Sequence, residues 1–398
     1  MTFPSSNLNF PASSKGFGTD VLIVGAGPTG LTLAASLLAR GVRTCVIDRQ
    51  AEGANTSRAA VVHARTLEVL EPLGVTQRLV ARGIQARQFT IRDRDRVLVP
   101  IGFSQLPTQY PYTLMVSQAV TESVLLQRLV ELGGRVLRPR TLAALVQDAS
   151  GATATLDDGS RMRARFVVGA DGMHSAVRES AGIAFNGGSY GESFVLADVR
   201  LDGGVPIDEV ILYFSPAGMV VLAPLPDGVH RVVATVSDAP EQPDAAYVQG
   251  LLDARGPQRE RALVQEVVWG SRFRVHHRVA ESYRAGRILL AGDAAHDAAG
   301  PGRKTKTFPA VLGAADLRFL PAGRAREHGR GQNQDAGEVQ HGAGGGGRAF
   351  PGLERRRLRP LLPHHGCHQR QINAGIQVPL RLWSGCWRPR FYSRNCWG

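Results

Sequence analysis

Residues 20–49, which read DVLIVGAGPTGLTLAASLLARGVRTCVIDR, constrain the fold more than any other part of the chain. The apolar run Val21–Val24 predicts a strand that is buried on both faces. Apolar residues then recur at helical spacing until Gly41, a typical residue just beyond a helix end. A second apolar run ends at Asp48. This order of strand, glycine-rich turn, helix and strand predicts a βαβ unit that binds a dinucleotide.

The residue types in this unit have separate physical roles. Gly25 permits the tight turn, Gly27 lets the backbone approach a pyrophosphate, and Gly30 lets the helix pack on the strand. The start of the helix offers free N–H groups and a positive dipole end to phosphate, and an acid 23 residues after the first glycine can accept from a ribose hydroxyl. The cofactor contacts predicted here are Gly25, Gly27, Pro28, Thr29, Gly30, Asp48 and Arg49.

A membrane anchor is the competing interpretation of this segment, because residues 21–39 carry no charge. Three glycines and a proline within a stretch of barely spanning length argue against it. The segment before it, residues 1–19, is polar and lacks an apolar core, so it predicts a disordered leader rather than a signal peptide. Three of the four cysteines lie after residue 366, which suggests no disulfide framework and predicts a cytoplasmic protein.

The net charge of +13 suggests a nucleic-acid partner until its location is considered. Residues 297–398 hold 17 Lys and Arg against 6 Asp and Glu, so +11 of the net charge belongs to the last quarter. A basic tail that binds nucleic acid is one interpretation. However, the basic residues there are nearly all Arg, and aromatic residues are sparse until the last dozen positions. We therefore expect no nucleic-acid partner and no membrane partner.

The rest of the chain up to residue 296 predicts a mixed α/β protein. Residues 89–103 read as a pair of strands, and residues 193–236 read as an antiparallel sheet inserted into an otherwise α/β chain. Residues 245–269 have a helical pattern. Two further apolar runs predict buried strands, and they end at Asp171-Gly172 and at Gly292-Asp293. Doubly wound sheets bind their ligands at such carboxyl ends.

Taken together, three motifs resemble the single-component FAD-dependent aromatic hydroxylases of the para-hydroxybenzoate hydroxylase type. VLIVGAGPTGLTLA looks like the first βαβ of that family, GADGMHSAVR (169–178) looks like its DG motif, and ILLAGDAAH (288–296) looks like its GD motif. The resemblance covers residues 20–296. It implies FAD contacts at Asp171, Gly172, Gly292 and Asp293. Arg58 resembles the arginine beside the flavin, which makes it the candidate catalytic residue, and Gln118 resembles the glutamine that contacts the cofactor.

The resemblance implies a Rossmann-like FAD-binding domain with an inserted antiparallel substrate domain. The implied FAD-binding segments are 20–88, 113–185 and 279–302, and the implied substrate-domain segments are 89–112 and 186–278. The implied reaction uses NADPH or NADH as a transient reductant and O2. It hydroxylates a phenolic or polyketide-like aromatic through a flavin C4a-hydroperoxide. A homodimer is compatible with this family.

The inserted sheet would cover the apolar cavity that such a reaction needs. Its candidate lining residues, which are also plausible core residues, are Tyr213, Phe214, Met219, Val221, Leu222 and Pro224. His63, His276 and His277 are interpreted as structural or surface histidines. No Ser/His/Asp spacing and no metal-ligand spacing is found, so the sequence favours neither hydrolysis nor metal chemistry.

The family pattern stops near His296. The family has a Gly-Gly-Gln-Gly-like loop and a helix at this point, whereas this chain reads DAAGPGRKTKTFPAVLGAADLRFL and loses its periodicity. A reading-frame change near residue 296 would produce such an Arg-, Gly-, Pro- and His-rich remainder. Residues 303–398 are therefore expected to form an irregular basic tail that is either frameshifted or disordered.

Two alternatives to a monooxygenase remain open on the sequence. One is an FAD oxidoreductase without oxygenation, of the reductase or halogenase type, although the Trp-x-Trp-x-Ile-Pro element of the halogenases is not found. The other is a truncated FAD-binding protein without turnover.

Overall fold

The structure is a computed structural model, and it describes residues 18–53 and 60–298. These residues belong to one compact unit, Met1–Gly323, and a second unit, Arg324–Gly398, contains none of them. The leader up to residue 17, Arg58 and the tail at 303–398 lie outside the described residues.

The helices are α1 (Pro28–Leu38), α2 (Ala64–Leu70), α3 (Thr76–Val80), α4 (Gln118–Glu131), α5 (Ala176–Ser180) and α6 (Ala245–Arg255). The first ten strands are β1 (Thr19–Val24), β2 (Thr44–Ile47), β3 (Val61–Val62), β4 (Ile84–Ala86), β5 (Gln88–Asp93), β6 (Arg96–Gly102), β7 (Thr113–Met115), β8 (Val136–Leu137), β9 (Leu142–Gln147) and β10 (Ala152–Leu156). The others are β11 (Arg161–Gly169), β12 (Phe185–Asp202), β13 (Glu209–Ser215), β14 (Gly218–Leu225), β15 (Val229–Val236), β16 (Leu263–Ala280), β17 (Arg284–Ala285), β18 (Ile288–Leu290) and β19 (His296–Ala298).

The first sheet has the order β17-β18-β11-β1-β2-β8, and β10 and β9 extend from β11. Its neighbouring strands from β18 to β8 are parallel. The central strand β1 is buried because Leu22 and Ile23 point to opposite faces, and both are fully inaccessible to solvent. Leu31 and Leu37 of α1 pack with Leu125 of α4 in the core on one face. The predicted βαβ unit and the mixed α/β fold class are confirmed.

The second sheet has the order β19-β16-β12-β15-β14-β13-β5-β6. It is antiparallel except between β13 and β5, which run parallel. The predicted inserted antiparallel sheet therefore exists, and it also recruits the strand pair predicted at residues 89–103. A third, small sheet contains β3, β7 and β4.

The two faces of the second sheet have different neighbours. Its outer face packs on α6 through a buried cluster that includes Tyr213, Leu222 and Leu252. Its inner face packs on the third sheet, where Ala223 and Leu225 share a cluster with the residues of β4 and β7. Side chains alternate between faces along a strand, so each strand contributes to both.

This alternation corrects the predicted set of cavity-lining residues. Phe214, Met219 and Val221 alternate with the residues of the outer face, and Val221 packs against the inner-face cluster. Tyr213 and Leu222 belong to the outer-face core and are at most 1% exposed. Pro224 alternates with Ala223 and Leu225, so it also lies on the outer face. The prediction was wrong for these three residues because hydrophobicity does not indicate which face of a sheet is directed at a given neighbour.

The predicted helix over residues 245–269 is also wrong beyond Arg255. The helix ends there and is followed by Gly256 and Pro257, and residues 263–280 form the long strand β16. The β-branched residues Val264, Val267 and Val268 favour a strand, and helical spacing of apolar residues does not outweigh this preference. Within the described residues, no helix is long and apolar enough to cross a membrane.

Candidate cofactor site

The carboxyl ends of five parallel strands form one edge of the first sheet. Backbone hydrogen bonds continue past the strand ends, from the Gly25 N–H to the Ile47 carbonyl (2.8 Å) and from the Ala170 N–H to the Val24 carbonyl (2.7 Å). The Ala291 N–H likewise donates to the Gly169 carbonyl at 2.8 Å. The loops after β1, β11 and β18 are therefore adjacent, and they carry the three motifs found in the sequence.

The three glycines of the first loop have different surroundings. Gly25 has φ of +104°, and a Cβ there would overlap the Ala170 carbonyl. A Cβ on Gly30 would overlap the Gly25 carbonyl. A Cβ on Gly27, in contrast, would meet nothing within 4 Å. Gly27 precedes Pro28 at the start of α1, where no side chain caps the helix, so the open space lies in front of uncapped N–H groups.

Asp48 follows β2 at the same edge. Its carboxylate accepts from the Ala26 N–H at 2.6 Å and from the Gln50 N–H at 2.8 Å, so it is held beside the glycine turn. The neighbouring Arg49 is exposed. A second basic residue, Arg138, follows β8 and donates to the Ala26 carbonyl at 3.3 Å.

A cavity of about 200 Å³ lies between the start of α1, the segment after β2 and α4. Its lining residues are Leu31, Glu52, Gly53, Ala119, Glu122, Ser123, Leu126 and Arg138. Gln118 lies at the start of α4 and donates to Glu122 at 2.8 Å. The buried Nε atom of Arg138 has no hydrogen-bond partner within the described part of the chain. Uncapped N–H groups, a carboxylate and a polar cavity in this order fit the ADP half of FAD.

Asp171 lies in the loop after β11, and its carboxylate is used within that loop. One oxygen accepts from the Ser175 hydroxyl at 2.6 Å and the other accepts from the Val177 N–H at 3.1 Å. Burial raises the pKa of this carboxyl above its ordinary value, against the effect of these hydrogen bonds. Asp171 thus orders the turn at Gly172, where φ is +82°, and the start of α5.

The loop after β18 forms a short 3-10 turn over Gly292–Ala294. Gly292 has φ of +62°, and a Cβ there would lie 2.6 Å from the Thr29 hydroxyl, so this turn contacts the first loop closely. Asp293 is exposed. The buried Arg178 of α5 donates to the Ala294 carbonyl at 3.0 Å and to the Met173 carbonyl at 2.8 Å. Arg178 therefore ties the second loop to the third.

The structure brings most of the predicted site residues to one edge. These are Gly25, Gly27, Pro28, Thr29, Gly30, Asp48, Asp171, Gly172, Gly292 and Asp293, with Gln118 near the adjoining cavity. The structure does not describe Arg58. Sequence reasoning did not identify Arg138 and Glu122, although Arg138 directly follows the short apolar pair Val136–Leu137 in the way that Asp48 follows β2. Among the described residues, no cluster of His, Cys, Asp or Glu could hold a metal ion.

Comparisons with known proteins agree with this arrangement. Residues 18–300 match the family model described as FAD binding domain. The chain is 40% identical over 322 residues to 6-methylpretetramide 4-monooxygenase of Streptomyces rimosus. The aligned region covers 78% of this chain and 57% of the relative. The chain thus spans little more than half the length of this curated relative.

Two solved structures share the fold. p-Nitrophenol 4-monooxygenase PnpA of Pseudomonas putida is 26% identical with a TM-score of 0.63, covering 71% of this chain and 74% of that protein. Aklavinone-11 hydroxylase, solved with FAD and aklavinone, is 28% identical with a TM-score of 0.61, covering 71% of this chain and 58% of that protein. The relatives and structural neighbours named here are aromatic monooxygenases or hydroxylases. Together with the motif loops and the two sheets, these similarities show that the chain belongs to the FAD-binding domain family.

Proposed function

We propose that the protein is an FAD-dependent monooxygenase that uses NADPH or NADH and O2 to hydroxylate a phenolic or polyketide-like aromatic. The observation that carries this proposal is the meeting of the three motif loops at one sheet edge, where the third loop leads into β19 of a second sheet whose inner face is apolar at Leu196, Val221 and Val233. The names of the relatives support the same reaction class, since they include monooxygenases of p-nitrophenol and 6-methylpretetramide.

The described residues would hold FAD mainly by its ADP half. The N–H groups at the start of α1 would bind the pyrophosphate, Asp48 would accept from a ribose hydroxyl, and the cavity between Glu122 and Arg138 would take the adenosine end. Arg49, Arg58, Gln118 and Asp293 are proposed as contacts on the family resemblance. Bound FAD supplies redox chemistry in which NADPH or NADH and O2 are consumed, one oxygen atom enters the ring and the other leaves as water.

The remaining task of the chain is to orient the aromatic ring and exclude water from it. The inner face of the second sheet suits this task because Leu196, Val221 and Val233 are apolar and at least half-buried. No acid–base side chain is required of this face, since the cofactor carries the reaction.

The test uses the full-length purified protein. We expect bound flavin in its absorbance spectrum, and NADPH or NADH oxidation that accelerates when p-nitrophenol or aklavinone is added and yields a hydroxylated product by mass spectrometry. Comparing the two nucleotides identifies the reductant. Oxidation without a hydroxylated product would favour an FAD reductase instead. Flavin binding without any turnover would favour a non-catalytic FAD-binding protein, an alternative supported by the departure from the family pattern after His296.

A further inference from the structure

Five inner-face residues lie in one line across the second sheet, and we call them the aromatic row. The row runs from Phe273 on β16 through Phe194, Thr235 and Met219 to Phe214 on β13. Phe273 is opposite Phe194, Phe194 is opposite Thr235, and Met219 is opposite Phe214. The Met219 N–H donates to the Thr235 hydroxyl at 3.2 Å, which joins the two halves of the row.

The aromatic row continues the apolar surface of the inner face beyond its contact with the third sheet. Ala223 and Leu225, farther along β14, are buried in that contact. The row itself is more open: Met219 and Phe214 are half-buried, and Phe273 is 37% exposed. It contains no charged side chain. The row is therefore the outer margin of the surface on which the proposed substrate would lie.

One end of the row is a stacked aromatic pair. The ring centroids of Phe194 and Phe273 are 5.1 Å apart and their planes differ by 17°. A bound aromatic ring gains from such a pair both by apolar burial and by favourable ring–ring geometry. Neither residue belongs to the cluster that packs on the third sheet, so the pair lies apart from that contact.

The row is long enough for a large aromatic substrate to contact more of it than a small one can. From Phe194 to Phe214 there are three strand-to-strand steps, or about 14 Å. A single benzene ring reaches only part of this distance, whereas several fused rings end to end reach across it. Among the relatives, both kinds of compound occur in the names, namely p-nitrophenol and aklavinone.

We propose that Phe194 and Phe273 are specificity-determining residues that bind the distal ring of a fused-ring aromatic substrate and contribute little to the binding of a single-ring phenol. This inference rests on the proposed function. It assigns the outer margin of the inner face to the part of the substrate that does not react. The pair would therefore act on substrate affinity rather than on the chemical step.

The test compares two probes on the FAD-loaded full-length protein. Equilibrium dialysis gives Kd for aklavinone and for p-nitrophenol, and steady-state kinetics gives KM and kcat. For Phe194→Leu and Phe273→Leu we expect Kd and KM for aklavinone to rise roughly two- to tenfold. We expect p-nitrophenol values and kcat to stay within about twofold, since in this assignment the pair contacts a ring that does not react.

Two controls separate recognition from folding. Phe273→Tyr keeps the aromatic ring and should retain aklavinone affinity. Leu98→Ala changes an exposed apolar residue on β6, at the far edge of the same sheet, and should alter the Kd of neither probe. Equal losses for both probes, or no loss for aklavinone, would overturn the assignment of the pair while leaving the proposed function intact. A flavin-loaded wild-type protein that binds neither probe would overturn the proposed function and this inference with it.

Discussion

Gly27 and Gly30 lie one helical turn apart, yet a methyl group would meet opposite surroundings at the two positions. At Gly30 it would overlap the Gly25 carbonyl, and at Gly27 it would project into open space in front of α1. The backbone at Gly27 has φ of −75°, which alanine adopts without strain. One glycine is thus needed for packing, and the other is proposed to leave room for the pyrophosphate of FAD.

This difference predicts separate effects for two substitutions. Gly30→Ala should lower the free energy of unfolding by about 1–3 kcal/mol or more, because α1 and the turn at Gly25 must move apart. Gly27→Ala should change it by less than about 1 kcal/mol but weaken FAD binding about tenfold or more, because the methyl group occupies the path of the pyrophosphate. Thermal melts and FAD titrations measure the two effects. A Gly27→Ala protein with wild-type FAD affinity would contradict the assigned phosphate site.

His230 is a buried histidine on the outer-face side of β15. Neither ring nitrogen has a hydrogen-bond partner among the described residues, and burial lowers the pKa of the imidazole below its ordinary value. The unfolded chain therefore binds the proton more readily than the folded protein. It follows that the folded protein loses stability as the pH falls below about 6.5.

His230→Leu should remove this pH dependence. Because it also removes two unpaired buried nitrogens, we expect the free energy of unfolding at pH 7 to rise by about 1–3 kcal/mol. Urea unfolding at pH 7 and pH 5 measures both effects. The exposed His174 provides the control, since His174→Gln also removes an imidazole but leaves the buried core unchanged. A wild-type slope retained in His230→Leu would show that other groups cause it.

At the scale of elements, strands β12 and β15 are joined by a buried ion pair. Arg231 donates to both carboxylate oxygens of Asp198, at 2.8 and 2.9 Å, and both side chains are less than 10% exposed. The pair lies on the inner face, since Asp198 is opposite Arg231 and two residues from Leu196. Removing the Asp198 carboxylate would take the bidentate counter-ion away from a buried guanidinium, which is costly.

We therefore expect Asp198→Ala to lower the free energy of unfolding by about 3–5 kcal/mol. The matched control is the exposed pair of Arg272 and Glu241, also in this part of the molecule, where Glu241→Ala should cost less than about 1 kcal/mol. Denaturant titrations of both variants give the comparison. Similar costs for the two substitutions would mean that burial does not determine the contribution of the pair.

The elements that sequence reasoning predicted well are those with a local cause. The glycine turn and the uncharged apolar run define β1 and α1 without reference to the rest of the chain, and Asp48 follows from their geometry. The helix predicted over residues 256–269 was wrong because, in addition to the local preference of its valines, the strand that begins at Leu263 is specified by long-range pairing with β12. Which face Tyr213 occupies depends on α6, so no local pattern could have placed it.

At the scale of the whole molecule, the resemblance of the sequence to the family ends near His296. The family model matches up to residue 300, and the apolar periodicity disappears after His296. The meeting of the three motif loops at one sheet edge could be predicted because their residues lie in compact motifs. The contacts of Arg138 and Glu122 could not, because they depend on a two-residue strand and on the approach of α4 to the segment after β2.

The reading frame of the gene provides a prediction at this scale. We expect resequencing across codon 296 to find a single-base insertion or deletion, after which the corrected frame encodes a Gly-Gly-Gln-Gly-like loop. The mass of the purified protein would then show which reading is translated. An intact frame in the resequenced gene would exclude this explanation and leave the basic tail as a genuine part of the protein.

The first sheet is assembled from segments that are far apart in the chain. Strand β18, at residues 288–290, lies beside β11, and the five second-sheet strands β12 to β16 are synthesised between them. During translation, residues 167–169 of β11 must therefore stay without their β18 neighbour while more than a hundred further residues emerge. The cofactor loops can close only near the end of this interval. An early stop or a stalled ribosome would leave an exposed strand edge, which makes this order of synthesis a source of aggregation that chaperones have to manage.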